Sequence, residues 1–174
     1  MSNEIQELQS IAHKWTVKFL EKNLPKVRGE NWWKKCVIHK LTEMQEKLLL
    51  EYKWSKLEDL DLGTILRIFD KNWYALEEHL ELPRVKRNLL FELKDIRNEL
   101  AHEDTHGVPL IDQIRHADTI SRYLDFIGAD ANAVESAKEI HQKLMSHEVE
   151  GIEDVDLELV WDPPWNKDMM TESA

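Results

Sequence analysis

Two overlapping patterns in one stretch carry side chains able to do chemistry. Arg97-Asn98-Glu99-Leu100-Ala101-His102 sets a guanidinium, an amide and an imidazole close together, and His102-Glu103-Asp104-Thr105-His106 spells His-Glu-x-x-His. On a helix turning about 100° per residue, Asn98 and His102 lie about 40° apart, and Arg97 lies about 140° from His102, within reach of a long side chain. That set suits a phosphate: Arg97 grips the anion while His102 exchanges a proton. The second pattern is that of zinc peptidases, in which two histidines on one helical face hold the metal and the glutamate is the general base. It needs a helix running through both histidines. After Ala101 the sequence turns polar, Asp104 and Thr105 favour turns, and Gly107-Val108-Pro109 follows at once. Asp118 or Asp125 would have to serve as third ligand, and nothing singles out either. The first pattern is therefore preferred to a zinc hydrolase, and no metal or other cofactor is expected.

The elements that must position these residues read as helices. Leu89, Leu93, Ile96 and Leu100 recur at helical spacing, so a helix opened by Leu82-Pro83, with Val85 also facing inward, delivers Arg97, Asn98 and His102 to its C-terminal end. Ahead of it, one helix spans Asn3 to about Asn23 and stops at Leu24-Pro25, because the residue before proline avoids helical backbone. A second, capped by Asn31, carries Trp33, Val37, Leu41, Met44 and Leu48 to about Glu51. A third starts near Ser55-Lys56-Leu57-Glu58 or at Asp59 or Asp61, with Leu62, Leu66, Phe69, Trp73 and Leu76 inward. Trp15, Trp33 and Trp73 are expected in the core. After Pro109, a fifth helix buries Ile111, Ile114, Ala117, Ile120, Leu124 and Ile127 and ends at Gly128; Asp130 caps a sixth that runs to about His147. The fold class is all-α, an antiparallel bundle of five to six helices over residues 1–150.

Residues 151–174 form an acidic tail. Val155, Leu157, Leu159 and Trp161 alternate with Asp156, Glu158 and Val160, the period of a strand that would have to pair elsewhere, so residues 151–165 could dock a protein partner; a disordered end is the alternative. The tail holds seven acidic residues and one lysine of a chain whose net charge is −11, leaving about −5 for the bundle. Proteins that hold long nucleic acid usually present a basic face, which argues against extended phosphate neutralisation and leaves room for a few local cationic contacts. Arg115, His116 and Arg122 could extend a cationic rim or belong to a solvated face. A single cysteine, Cys36, fits a reducing compartment. No apolar run reaches the about 20 residues of a membrane helix, and Met1-Ser2-Asn3-Glu4 lacks the layout of a signal peptide. The expected location is cytoplasmic, or nuclear in a eukaryote, with no membrane contact.

Arg97-Asn98-Glu99-Leu100-Ala101-His102 resembles the R-[polar]-x-x-x-H motif of the HEPN superfamily of helical nucleotide-binding domains. Leu60 to Leu66, Asn72-Trp73 and Ala117 to Leu124 are similar to the branch found beside a PIN nuclease in a eukaryotic nuclear mRNA-surveillance endonuclease and beside helicase-like regions in bacteria. The resemblance covers Trp33 to Leu144 and leaves out His106 and the acidic tail. It implies a metal-independent endoribonuclease acting as a homodimer on RNA, in surveillance or phage defence, with Arg97, Asn98 and His102 as catalytic residues. The competing readings are a non-catalytic HEPN module that binds RNA, a nucleotide or a protein, and an ion-pair and capping cluster without chemistry.

Overall fold

The computed structural model describes residues 3–102 and 107–153. Every regular element among them is helical: α1 (Asn3–Arg28), α2 (Glu43–Glu51), α3 (Leu62–Lys71), α4 (Trp73–Leu80), α5 (Arg87–Ala101), α6 (Leu110–Phe126) and α7 (Ala131–Glu153), joined by short 3₁₀ and π turns. α6 and α7 form the most extensive pair; α1 packs on α6 and α3, and α5 lies between α3 and α6. Stacked rings tie four helices together. Phe19 of α1 stacks on Phe69 of α3 at 5.0 Å, Phe69 on Trp73 of α4 at 5.8 Å, and Trp73 meets Phe126 of α6 at 6.1 Å. Trp73 is fully buried, as expected, and Trp15 and Trp33 are partly buried against the core. Beneath them Tyr123 donates to Thr16 Oγ1 (2.7 Å), which donates to the Ala12 carbonyl (2.6 Å), so each buried hydroxyl is satisfied.

Several local expectations are corrected. α1 does not stop at Leu24-Pro25 but continues to Arg28. The hydrogen bond that Pro25 cannot make is lost beside exposed Glu21, whereas Leu24 is fully buried and Val27 packs on the core, so tertiary burial outweighs the local preference. The second helix is not continuous. Gly29–Asn31 and Ile38–Lys40 are 3₁₀ turns flanking a π turn, Trp33–Val37, Asn31 provides no cap, and α2 starts only at Glu43, under a capping box made by Thr42 and Gln45. The third helix breaks at Asn72, whose buried amide donates to the Cys36 carbonyl (2.8 Å) and the Ile68 carbonyl (2.7 Å). One residue thus satisfies a carbonyl in the π turn and holds the joint between α3 and α4. Met44, Val85 and Ile111, expected inside, are 66%, 69% and 50% exposed: each lies near a helix end where no neighbouring element covers it.

Other signals match. Gly128 adopts φ 73° just past α6, and Asp130 accepts from the Ala133 N–H at 2.8 Å. α7 runs past His147, across residue 150, to Glu153; the strand pattern from Val155 to Trp161 lies outside the described residues. No helix among the described residues is long and apolar enough to cross a membrane.

Removing the Asn72 amide leaves a buried carbonyl without a donor, a loss of about 1–3 kcal/mol. Asn72→Leu is expected to lower stability by that amount in denaturant unfolding, while Asn31→Ala, at an exposed position, should change it by less than about 0.5 kcal/mol.

Candidate functional site at the end of α5

α5 buries Leu89, Leu90, Leu93, Ile96 and Leu100 and turns Lys94, Arg97 and Asn98 outward. Lys94, Arg97 and Asn98 are three and four residues apart and so share a face. That face looks onto the first turns of α2 and α3. Asp61, the N-cap of α3, accepts from the Thr64 N–H at 2.9 Å with one carboxylate oxygen and from the Arg97 guanidinium at 2.8 Å with the other. Arg97 also donates to the Asn98 amide oxygen at 3.3 Å. The residue ahead of Asp61 is anchored too: the His13 ring N–H donates to the Leu60 carbonyl at 2.7 Å.

Gly63 explains how the guanidinium comes so close. A Cβ there would stand 3.0 Å from the Arg97 guanidinium carbon and from its Nε, so any side chain would press the arginine outward. Glycine costs a helix up to about 1 kcal/mol relative to alanine, and here the space it leaves is filled by Arg97. Burial pushes the Asp61 carboxyl up, but the hydrogen bonds from Thr64 and the Arg97 charge together bring it below the ordinary aspartate range.

Beside this pair lies a cleft of about 230 Å³ bordered by Thr42, Gln45, Asp61, Arg67, Lys94 and Arg97. Gln45 donates to Thr64 Oγ1 at 3.3 Å and so links the starts of α2 and α3 across it. Arg67 donates to the Lys40 carbonyl at 2.8 Å through Nε.

His102 is set apart from the cleft. It is exposed at the C-cap of α5, with φ −112° and ψ 17°, and its backbone N–H bonds the Asn98 and Glu99 carbonyls, both at 3.2 Å. The structure therefore brings Arg97 and Asn98 into contact and leaves the His102 ring at the helix end, without a hydrogen-bond partner among the described residues. α5 stops at Ala101, before the first histidine of His-Glu-x-x-His, and no cluster of three or more metal-binding side chains occurs among the described residues. On the α6 side of α5, the arginines of the suggested cationic rim are paired: Arg122 lies 3.0 Å from Asp118 and 3.8 Å from Glu92, and Arg115 3.9 Å from Asp112; the His116 ring lies 3.0 Å from Glu99.

A model described as Swt1-like HEPN matches residues 6–128, well over half of the chain. The chain belongs to the Swt1-like HEPN family. The match begins in α1, well before Trp33, and ends at Gly128, so α1 is part of this HEPN domain and α7 lies beyond the matched region. Comparisons with curated proteins and with solved structures gave no match. Sequence reasoning missed Asp61 as the partner of Arg97 and Gly63 as the space for it. The available signal was a glycine in the first turn of a helix, directly after a capping aspartate and a leucine.

Because the folded Asp61 carboxyl is held below its ordinary range, its pairing contributes stability above that range and loses it as pH falls through the folded value. Asp61→Asn keeps an N-cap acceptor and removes the charge. Its deficit in melting temperature at neutral pH should be small, as for exposed pairs worth at most about 1 kcal/mol, and should shrink on acidification. Asp61→Ala should cost about 1 kcal/mol more through loss of the cap.

Proposed function

We propose that this HEPN domain is a metal-independent endoribonuclease acting as a homodimer, with Arg97, Asn98 and His102 of both protomers forming one site. The observation that carries this reading is that the exposed end of α5 presents the Arg97 guanidinium against the Asn98 amide, with the His102 imidazole at the C-cap and without a hydrogen-bond partner among the described residues, in a chain of this family. Cleavage by the ribose 2′-oxygen forms a new bond from that oxygen to phosphorus and breaks the bond to the 5′-oxygen. A base takes the 2′-hydroxyl proton, an acid protonates the departing 5′-oxygen, and positive charge stabilises the phosphorane. One protomer offers one histidine at this end of α5 among the described residues. Two copies face to face supply a His102 for each proton transfer and an Arg97 pair for the phosphate, with Asn98 orienting Arg97 and the substrate.

A second reading is favoured by a specific contact. Arg97 already pairs with Asp61 at 2.8 Å, as it would in a binding module that does no chemistry. Against that, the arginine is about one-third exposed and its partner more than half exposed, so an incoming phosphate can compete for it.

Incubated with RNA in EDTA, the full chain should cleave it to 2′,3′-cyclic phosphate and 5′-hydroxyl ends. His102→Ala and Arg97→Ala should each lower the rate by about 10²-fold or more. Absence of cleavage in the wild type would reject the nuclease. RNA affinity untouched by Arg97→Ala, with a protein partner lost on deleting residues 151–174, would establish the binding module instead.

A further inference from the structure

Two concave surfaces flank α5, and their charges differ. On the α6 side, the surface is bordered by Glu92, Asp95, Asp112 and Asp118, and its arginines are engaged with carboxylates. On the α3 side, the 230 Å³ cleft holds Arg67, Lys94 and Arg97 against one carboxylate, Asp61, which is itself taken by Arg97 and the Thr64 N–H. Arg67 and Lys94 have no carboxylate partner within ion-pair distance among the described residues. Arg67 spends its Nε on the Lys40 carbonyl, which fixes the side chain and leaves its terminal nitrogens for a ligand. Lys94 is half-buried, with its ammonium 6.0 Å from the Phe91 ring. Thr42, Gln45, Thr64 and Asn98 add neutral hydrogen-bonding groups. In a chain of net charge −11, two cations without a carboxylate partner beside the paired Arg97 give this pocket a preference for an anion.

We infer that the cleft between α2, α3 and α5 is a phosphate subsite in which Arg67 and Lys94 bind a backbone phosphate of a single RNA strand next to the one held by Arg97. The inference rests on the nuclease reading for the identity of the ligand, and it adds a path. From His102 at the helix end the strand passes over Arg97 and runs one turn back along α5 towards Lys94, away from the acidic α6 side. A free nucleotide would offer the same phosphate chemistry, and the experiment separates the two sources.

Binding is measured on the full chain carrying His102→Ala, so that cleavage does not intervene, with a short single-stranded RNA in one arm and adenosine monophosphate in the other. Lys94→Ala and Arg67→Ala are each expected to weaken RNA binding roughly fivefold and to reduce the salt slope by about 0.7, the value for one fewer phosphate neutralised on a single strand. Arg122→Ala, which removes a cation on the α6 side, should leave both unchanged, and melting curves check that each variant is folded. If adenosine monophosphate also binds and weakens with Lys94→Ala and Arg67→Ala, the phosphate subsite stands and a nucleotide is an occupant. Folded Lys94→Ala and Arg67→Ala variants that bind RNA as tightly as their parent overturn the subsite, as does an equal loss with Arg122→Ala, and neither touches the nuclease. Conversely, a wild-type chain that binds RNA with this pattern and fails to cleave it overturns the nuclease and keeps the subsite. No binding in either arm overturns the subsite.

Discussion

The candidate site depends on the apolar line of α5. Leu89, Leu90, Leu93, Ile96 and Leu100 are buried against the neighbouring helices, each worth about 1.5–3 kcal/mol of transfer free energy, and their burial fixes the rotation of the helix and hence the direction of Lys94, Arg97 and Asn98. The Arg97–Asp61 pair cannot do this work. It is partly exposed and worth at most about 1 kcal/mol, so it selects where the guanidinium rests once the core has brought the end of α5 to the start of α3. A strong nonpolar constraint thus sets the helix, and a weak polar one sets the side chain. That division suits the proposed exchange of Asp61 for a phosphate at Arg97, because the pair is easily broken and the scaffold is not.

The distribution of charge makes an acidic chain compatible with the proposed anionic ligand. Much of the negative charge lies in the tail beyond residue 150, and the arginines of α6 are held in local pairs with Asp112, Asp118 and Glu92. Beside the motif, Arg67 and Lys94, which have no carboxylate partner within ion-pair distance among the described residues, both line the cleft between α2, α3 and α5. Attraction of that kind acts within about a Debye length, roughly 8–10 Å, and favours a few contacts at one place over a long track of phosphates.

The apolar stripe of α5 was legible in the sequence because a helix repeats every 3.6 residues and both flanks of this one are covered. Gly128 and the cap Asp130 were legible because their chemistry is local, and Asp61 was one of three starts the sequence offered for its helix. The break at Asn72 and the π turn at Trp33–Val37 were not, since they are coupled through a hydrogen bond between residues 36 positions apart. Met44, Val85 and Ile111 fit the period and are exposed, because periodicity describes one helix and burial needs a second element over it. The motif itself could be read as Arg97, Asn98 and His102. That Arg97 would meet Asp61, across the gap left by Gly63, required the packing of α5 on α3.

The proposed reaction moves two protons, and among the described residues one protomer presents a single histidine at the end of α5, so the proposed site needs two α5 ends to meet. Cys36, the chain's single cysteine, is buried, so a nitroxide attached through Ala101→Cys, at an exposed position one residue before His102, reports from one place per protomer. Pulsed electron-spin distance measurement on that protein should give one short, narrow inter-protomer distance. A monomer at the concentrations used for cleavage, or a dimer in which the labels sit at opposite ends of the particle, would contradict the shared site.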